Sequence, residues 1–257
     1  MKKFLQNIFS IKREKNHKII TILGIKIKIF QPKAEKLHYC PICNTEGEFK
    51  DFGITLLRKS VQCPNCNSLE RHRLLYFIYK KYFLNTEKVI KVLHTAPEKC
   101  IYDVICKNSN IDYIPIDLCP ERYKFCQCKK EDITNLSFTE NTFDFVLSNQ
   151  VMEHILDEKK YISELLRVLK PGGYFLLNFP VDMALDKTFQ DNSIITPEER
   201  EKYYGQNDHV RKYGRDIFDK LKKEYNAKIV FAQDIFKDKD IKKYKLSKYE
   251  FVGILKK

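Results

Sequence analysis

Four cysteines stand as Cys40-Pro-Ile-Cys43 and Cys63-Pro-Asn-Cys66, two C-x2-C pairs separated by the 19 residues 44–62. Thiolates at that spacing suit a tetrahedral zinc ion. Four of them close the coordination shell, so the expected metal is structural rather than catalytic. In a segment of about 30 residues the ion replaces a missing core, with apparent binding energies of roughly 10–16 kcal/mol in comparable modules. Five further cysteines lack this paired spacing, and Cys126-Gln-Cys128 reads either as a second metal pair or as small core thiols. A second group of residues could hold an organic ligand: His94, Asp117 and Asn149 each close a short apolar run. A third is Tyr203-Tyr-Gly-Gln206-Asn-Asp208-His209-Val-Arg211-Lys-Tyr213-Gly214, dense in hydrogen-bonding side chains.

The runs that must position these groups are Lys88-Val-Ile-Lys-Val-Leu-His94, Asp112-Tyr-Ile-Pro-Ile-Asp117, Phe143-Asp-Phe-Val-Leu-Ser-Asn149 and Gly173-Tyr-Phe-Leu-Leu-Asn-Phe179. Apolar runs of this length, separated by helical patterns, predict a parallel α/β sheet with helices on both faces. Ligands bind such sheets at the carboxyl ends of the strands, where His94, Asp117 and Asn149 should lie. A helix is expected over 157–170, stopped by Pro171-Gly-Gly173, which turns the chain into the next strand.

The glycine distribution narrows the ligand. The chain holds 8 glycines, and none lies between Gly53 and Gly172. Dinucleotide and P-loop sites need glycines so that backbone N–H groups can approach phosphates. The turn after the first run is Thr95-Ala-Pro-Glu98, which sets a carboxylate where a phosphate would sit. A ligand with a ribose, an adenine and a positive charge but no phosphate tolerates this turn, and S-adenosylmethionine (SAM) fits that description.

Residues 88–180 resemble a class I SAM-dependent methyltransferase, of the type 11-like group whose fourth strand runs into a Glu-His pair. The segment that carries this likeness is Asn149-Gln-Val-Met-Glu153-His154-Ile, with Leu169-Lys-Pro-Gly-Gly-Tyr-Phe before the fifth strand. The resemblance implies a Rossmann-like sheet and a cofactor site drawn from His94, Ala96, Glu98, Asp117, Leu118, Asp132, Ile133, Asn149, Gln150 and His154. Asp117 matches the acid that binds the ribose hydroxyls, 23 residues after His94, near the roughly 20-residue spacing of such acids. On its own, an acid ending a strand commonly serves as a turn residue or cap. Asp132 matches the carboxylate that accepts from the adenine amino group. The first motif departs from the family: three alternating glycines are replaced by His94-Thr-Ala-Pro-Glu-Lys-Cys100, where only Ala96 is small. Glu153 and His154 are neighbours, so on a helix they would diverge by about 100° and form no dyad.

The segment Asn67-Ser-Leu-Glu70-Arg71-His72-Arg73 opens a helix to about Tyr82, with Asn67 and Glu70 at capping-box spacing. Together with the four-cysteine ribbon it resembles the front end of a bacterial subgroup of surface-glycan loci, where it would help close the SAM site. That subgroup also carries a Tyr-Gly-Gln-x-Asp-His-Val-Arg-x-Tyr-Gly stretch, matched here by 204–214. It falls within some thirty residues that a minimal methyltransferase does not need. Thr196-Pro-Glu-Glu199 should start a short helix there. A lid over the acceptor is one reading of this region; polar residues saturating a folded loop is the other.

The 257 residues allow one substantial core plus a small appendage. The predicted divisions are a basic β-hairpin tail (1–35), a zinc ribbon (36–70) and a methyltransferase domain (71–257) with its lid at about 181–214. Net charge is +13, but residues 1–35 and 220–257 each carry +7, leaving the centre near neutral. That distribution disfavours a nucleic-acid partner. The Lys/Ile alternation of 17–30 around Gly24 reads as a hairpin, packed on the enzyme or a partner copy, or else docked on an anionic membrane or assembly machinery. Nine cysteines with no export signal point to the cytoplasm, with peripheral attachment to the inner membrane face as an option.

A sugar hydroxyl stays protonated near neutral pH, so methyl transfer to it calls for a general base. His209 is the candidate, with Asp208 orienting it, while Arg211, Gln206 and Tyr213 would engage the acceptor. O-methylation of a sugar or glycan precursor is the favoured function. The rivals are an RNA methyltransferase with a zinc module, and a non-catalytic SAM-fold assembly partner.

Overall fold

The computed structural model describes residues 9–14, 17–22, 25–30, 37–53 and 57–257. They divide into two units, one up to Leu37 and one from His38 to Lys257. In the first, β1 (Phe9–Glu14), β2 (His17–Ile22) and β3 (Ile25–Phe30) form an antiparallel meander. The expected hairpin is therefore two strands of a three-stranded sheet, paired with Ile22 opposite Ile25 and His17 opposite Phe30. Its Gly24 turn lies outside the described residues, as do 1–8 and 31–36. Alternation sorts Ile25 and Ile27 to one face and Lys26 and Lys28 to the other, and all four are exposed.

The second unit opens with two short hairpins, β4 (His38–Cys40) with β5 (Thr45–Gly47), and β6 (Lys50–Phe52) with β7 (Arg58–Gln62). Helix α1 (Glu70–Tyr79) follows and runs on into a π-helical turn, Lys80–Leu84. Its N-cap is Leu69, whose N–H donates to His72 Nδ1 at 3.0 Å. The expected Asn67–Glu70 capping box does not form, and Glu70 pairs with Arg58 instead.

The central sheet comprises β8 (Ile90–Thr95), β9 (Ile111–Asp117), β10 (Lys129–Lys130), β11 (Phe143–Asn149), β12 (Leu169–Asn178), β13 (Lys228–Phe231) and β14 (Phe251–Lys256). Their spatial order is β10-β9-β8-β11-β12-β14-β13, and only β14 runs antiparallel to its neighbours. Counted in chain order this is 3-2-1-4-5-7-6, a Rossmann-like sheet with one antiparallel strand slipped in before its last.

Strand periodicity sends alternate side chains into two cores. Val92, Phe145, Leu147, Leu176, Val252 and Ile254 meet Leu74, Leu75 and Ile78 of α1, Ile101 and Ile105 of α2 (Lys99–Ile105), and the ribbon's Cys40, Ile42 and Phe49. On the other face Leu93, Val146, Phe175 and Leu177 meet Tyr161, Ile162 and Leu165 of α3 (Glu158–Val168) and Ile217, Phe218 and Leu221 of α5 (Asp216–Tyr225). Between α3 and α5 in the chain lies α4 (Pro197–Tyr204), which begins at the expected Thr196/Glu199 capping box. After β13 come α6 (Ala232–Ile235) and α7 (Asp238–Tyr244). The ribbon thus shares its hydrophobic core with the sheet.

Pro171-Gly-Gly173 does not sit between helix and strand as expected. Helix α3, capped by Asp157, ends at Val168, and the strand starts at Leu169. The triplet lies inside β12, where the register against β11 shifts between Phe143 and Phe145. Gly173 is required for steric reasons: a Cβ there would meet Asp144 O at 2.8 Å and Lys170 O at 2.9 Å.

Candidate functional site

The four ribbon thiols converge. Cys40 Sγ lies 3.6 Å from Cys66 Sγ, and Cys43 Sγ lies 3.6 Å from Cys63 Sγ. All four sulfurs are within 4.8 Å of one another. Tetrahedral Zn–S bonds place sulfurs about 3.8 Å apart, so the donor set is compatible with one zinc ion. The Ser68 hydroxyl lies 3.2 Å from both Cys40 Sγ and Cys66 Sγ. Cys126 and Cys128 join no such cluster among the described residues.

Arg73, expected to face solvent or the cofactor cleft, is fully buried instead. It donates to the carbonyls of Ser68, Val61, Tyr244 and Lys245 at 2.7–2.9 Å. A guanidinium is the one side chain whose fixed fork of donors can satisfy four carbonyls from separate segments. It tethers the ribbon to the C-terminal end of α7.

The sheet order reverses between β8 and β11, the topological switch point where open α/β sheets bind ligands. Thr95 Oγ1 and Ser148 Oγ join the two strand ends at 2.7 Å. Both strands leave through left-handed residues, Ala96 at φ 48° and Gln150 at φ 55°. Such a backbone costs an L-residue roughly 1–2 kcal/mol, and strain of this kind clusters at ligand sites. Ala96 holds the conformation for which a glycine would be the ordinary choice.

Beneath that turn lies a buried polar network. Glu98 Oε2 is 3.1 Å from His94 Nε2 and accepts from Asn149 Nδ2 at 3.3 Å. His94 Nδ1 contacts the Tyr113 hydroxyl at 2.7 Å, and Asn149 exchanges hydrogen bonds with the Tyr79 hydroxyl. His72 Nε2 approaches Glu98 Oε1 at 3.6 Å. Burial pushes the Glu98 carboxyl up, but the His94 hydrogen bond and neighbouring charges outweigh it and bring it down to about 2. Burial holds His72 neutral down to about 3.

His94 and Asn149, both expected to touch the cofactor, have buried side chains, and both contact Glu98. Gln150 donates to Asn178 Oδ1 at 2.8 Å. Asp117 accepts from Cys119 N and from the Tyr123 hydroxyl, each at 2.8 Å, and exposed Leu118 follows it. Exposed Asp132 accepts from Thr134 N and Oγ1, and half-buried Ile133 packs on the second core.

Glu153 and His154 lie on a 3-10 turn, Met152–His154, rather than a regular helix. The turn changes their relation: Glu153 Oε1 and His154 Nε2 are 3.9 Å apart. The His209 ring stacks edge-to-face on His154, with centroids 4.8 Å apart. Asp208 Oδ2 stands 3.3 Å from His154 Nδ1, so its carboxylate orients His154 rather than His209. Burial pushes the Glu153 carboxyl up to about 8 and the His209 imidazole down to about 4.

Arg211 and Tyr213, expected to engage the acceptor, are anchored to other parts of the chain. Arg211 is buried, and its guanidinium donates to the carbonyls of Met152, Ile155 and Leu156 and to Gln190 Oε1. Tyr213 donates to Glu158 Oε2 at 2.8 Å. Both staple the 181–214 segment to the loop after β11, and Arg211 also lines the cavity beside it. Gln206 is exposed. A cavity of about 640 Å³ opens beside this staple, lined by Leu156, Asp157, Gln190, Arg200 and Lys220 among others, without Asp117, His154 or His209.

Five buried side-chain polar atoms among the described residues have no hydrogen-bond partner: Arg71 Nε, His72 Nε2, Glu98 Oε1, Glu153 Oε2 and Arg200 Nε. Two of these face each other, His72 Nε2 and Glu98 Oε1 at 3.6 Å, and the Arg71 charge also bears on Glu98 and Glu153. Unpaired buried groups are rare in folded proteins, and a concentration of them marks a place completed by a ligand or water. Glu98, the Arg71–His72 run and the Glu153-His154 pair stand out in the sequence, whereas Tyr113 does not announce itself as a site residue. Its only local signal is a polar group within an apolar run.

Residues 102–177 match the methyltransferase domain family. Among curated proteins, the chain is 36% identical over 59 residues to a probable S-adenosylmethionine-dependent methyltransferase of Mycolicibacterium smegmatis, covering 23% of each. It is 44% identical over 42 residues to norajmaline N-methyltransferase of Rauvolfia serpentina, 16% of this chain and 14% of that one. The chain thus spans under a quarter of the length of these relatives. A solved SAM-dependent methyltransferase from Archaeoglobus fulgidus aligns with 73% of this chain and 94% of its own, at 17% identity and a TM-score of 0.49.

Proposed function

We propose that this chain is a SAM-dependent methyltransferase acting on a hydroxyl of a sugar or glycan precursor. The observation that carries the cofactor reading is the meeting of Arg71, His72 and Glu98, with unpaired buried atoms, beside the turn that follows β8. Bound SAM would supply an electrophilic sulfonium methyl. The ionised Glu98 faces the positive methionyl end, and Arg71 offers a donor to its carboxylate. Asp117 takes the ribose hydroxyls, Asp132 the adenine amino group, and Leu118 with Ile133 the adenine faces. The methyltransferase domain match over 102–177 supports the methyltransferase reading. A zinc ion in the four-cysteine ribbon has a structural role.

The near-neutral centre and the exposed Gln206, Asn207 and Asp208 suit a small polar acceptor better than an RNA. His209 is neutral at pH 7, so it can take the acceptor's proton. Its lowered basicity makes it a weak base for that task. Calorimetry with SAM tests the reading. The wild type should bind, and Asp117→Ala should weaken binding roughly 10- to 100-fold by removing charge-assisted hydrogen bonds. Absence of SAM binding to the wild type, together with no methyl incorporation from labelled SAM into sugar nucleotides, would refute it.

A further inference from the structure

The geometry of Glu153, His154 and His209 points to a site for a divalent transition-metal cation, distinct from the four-cysteine ribbon. One ligand atom from each residue lies within 4.8 Å of the others. That is slightly wider than the span of donors around a bound ion, so a small inward movement would close it.

Each imidazole already has an outer partner. His154 Nδ1 is 3.3 Å from both Asp208 Oδ2 and the Asp208 carbonyl. The Tyr204 carbonyl interacts with the His209 ring. An imidazole anchored through one nitrogen presents the other as a lone pair, and carboxylate or carbonyl partners of this kind accompany metal-bound histidines. The third donor is the independent observation. Glu153 is 1% exposed, and its Oε2 is buried with no hydrogen-bond partner. Leaving a buried carboxylate oxygen unmatched is costly, and a cation between it and two imidazoles removes the cost.

The scaffold brings the two ligand segments together. Val210 N donates to the Glu153 carbonyl at 3.0 Å, and Arg211 holds the carbonyls of Met152 and Ile155. The donors are therefore fixed by backbone, as a metal site requires. Two imidazoles and one carboxylate suit Zn²⁺, Mn²⁺, Co²⁺ or Fe²⁺, whereas Mg²⁺ and Ca²⁺ take oxygen ligands. Three protein donors leave coordination positions open.

The role of the ion rests on the methyltransferase reading above. An acceptor hydroxyl bound at an open position would lose its proton to solvent. Its oxygen would then form the O–CH₃ bond as the S–CH₃ bond breaks, the electron pair staying on sulfur. His209 would then act as a ligand.

Cobalt titration of the purified full chain, with zinc kept in the ribbon, tests the site without SAM. One equivalent of Co²⁺ should bind with nitrogen- and oxygen-type d–d absorption and no thiolate charge-transfer band. Glu153→Gln and His209→Ala should each weaken binding more than about 100-fold, and Asp208→Asn roughly 10-fold, the size expected for an outer partner. Zinc content and melting temperature report whether each variant keeps its fold, and Asp208→Asn, at an exposed position, tests the site if the buried variants unfold. Absence of the d–d signal in the wild type, a signal of thiolate character only, or equal cobalt binding by wild type and folded variants would overturn the proposal. Because the readout is metal binding, a failure here leaves SAM binding intact, and a failure of SAM binding leaves the metal result standing.

Discussion

Arg71 and Arg73 stand two residues apart on α1, and their surroundings differ completely. Arg73 is buried with its donors matched to four carbonyls, and it lies beside the ribbon thiols. Arg71 is half-buried with its Nε unpartnered, among Glu98, Glu153 and His72. A buried charge whose partners all come from the chain holds the fold. One whose partners are incomplete waits for a molecule from outside. The same contrast separates the ribbon side of the sheet from its strand-end cleft.

The largest test is to remove the ribbon's metal. Cys63→Ser, or chelation, should cost more than about 5 kcal/mol and abolish cooperative melting, because the ribbon shares the sheet's core. Survival of a sharp thermal transition would make the ribbon dispensable. Next, Arg73→Ala should destabilise by about 3–5 kcal/mol in denaturant melts, with Arg73→Lys recovering less than half. Arg71→Ala sharpens the comparison: stability should move by less than about 1 kcal/mol while SAM affinity by calorimetry falls about 10-fold. The reverse pattern in these two variants would dissolve the distinction.

Acid sensitivity separates the regions further. His72 has its pKa depressed from the ordinary 6.5 to about 3 by burial. The unfolded chain therefore binds more protons between those values, so this contribution is full above pH 6.5 and is lost as pH falls towards 3. Glu98, lowered from 4.5 to about 2, acts in the same direction over the lower part of that window. His72→Gln should flatten the upper part of the stability profile measured by denaturant midpoints. A profile identical to wild type would mean that His72 binds protons alike in the folded and unfolded chain. The smallest expected effect is Ala96→Gly, which should raise stability by about 1 kcal/mol or less through relief of the positive φ.

Strand positions were legible because β8, β9, β11 and β12 are buried on both faces and read as continuous apolar runs. The ribbon was legible because C-x2-C spacing is set by the ion. What escaped the sequence is contact over distance. His209 lies 56 residues beyond Glu153, and nothing local announces that a 3-10 turn will aim Glu153 and His154 at it. Arg211 and Tyr213 sit in a polar segment that suggests acceptor ligands, and the structure has them binding the loop after β11 and the start of α3. Pro171-Gly-Gly173 carried the usual signal of a helix stop, but Gly173 is there to let two backbones approach. The strand Phe9–Glu14 is half polar and gave too little alternation to be recognised.

The clamp made by Arg73 joins carbonyls at Val61 and Ser68 to those at Tyr244 and Lys245, a separation of 171–172 residues from Arg73 to the latter pair. At about 5–20 residues per second of synthesis, the ribbon waits roughly 10–40 s on the ribosome before its far anchor exists. During that interval the two short hairpins and the four cysteines must keep it shaped, so, with the zinc proposed for those thiols, an early supply of the metal to the emerging chain would set the yield of folded protein.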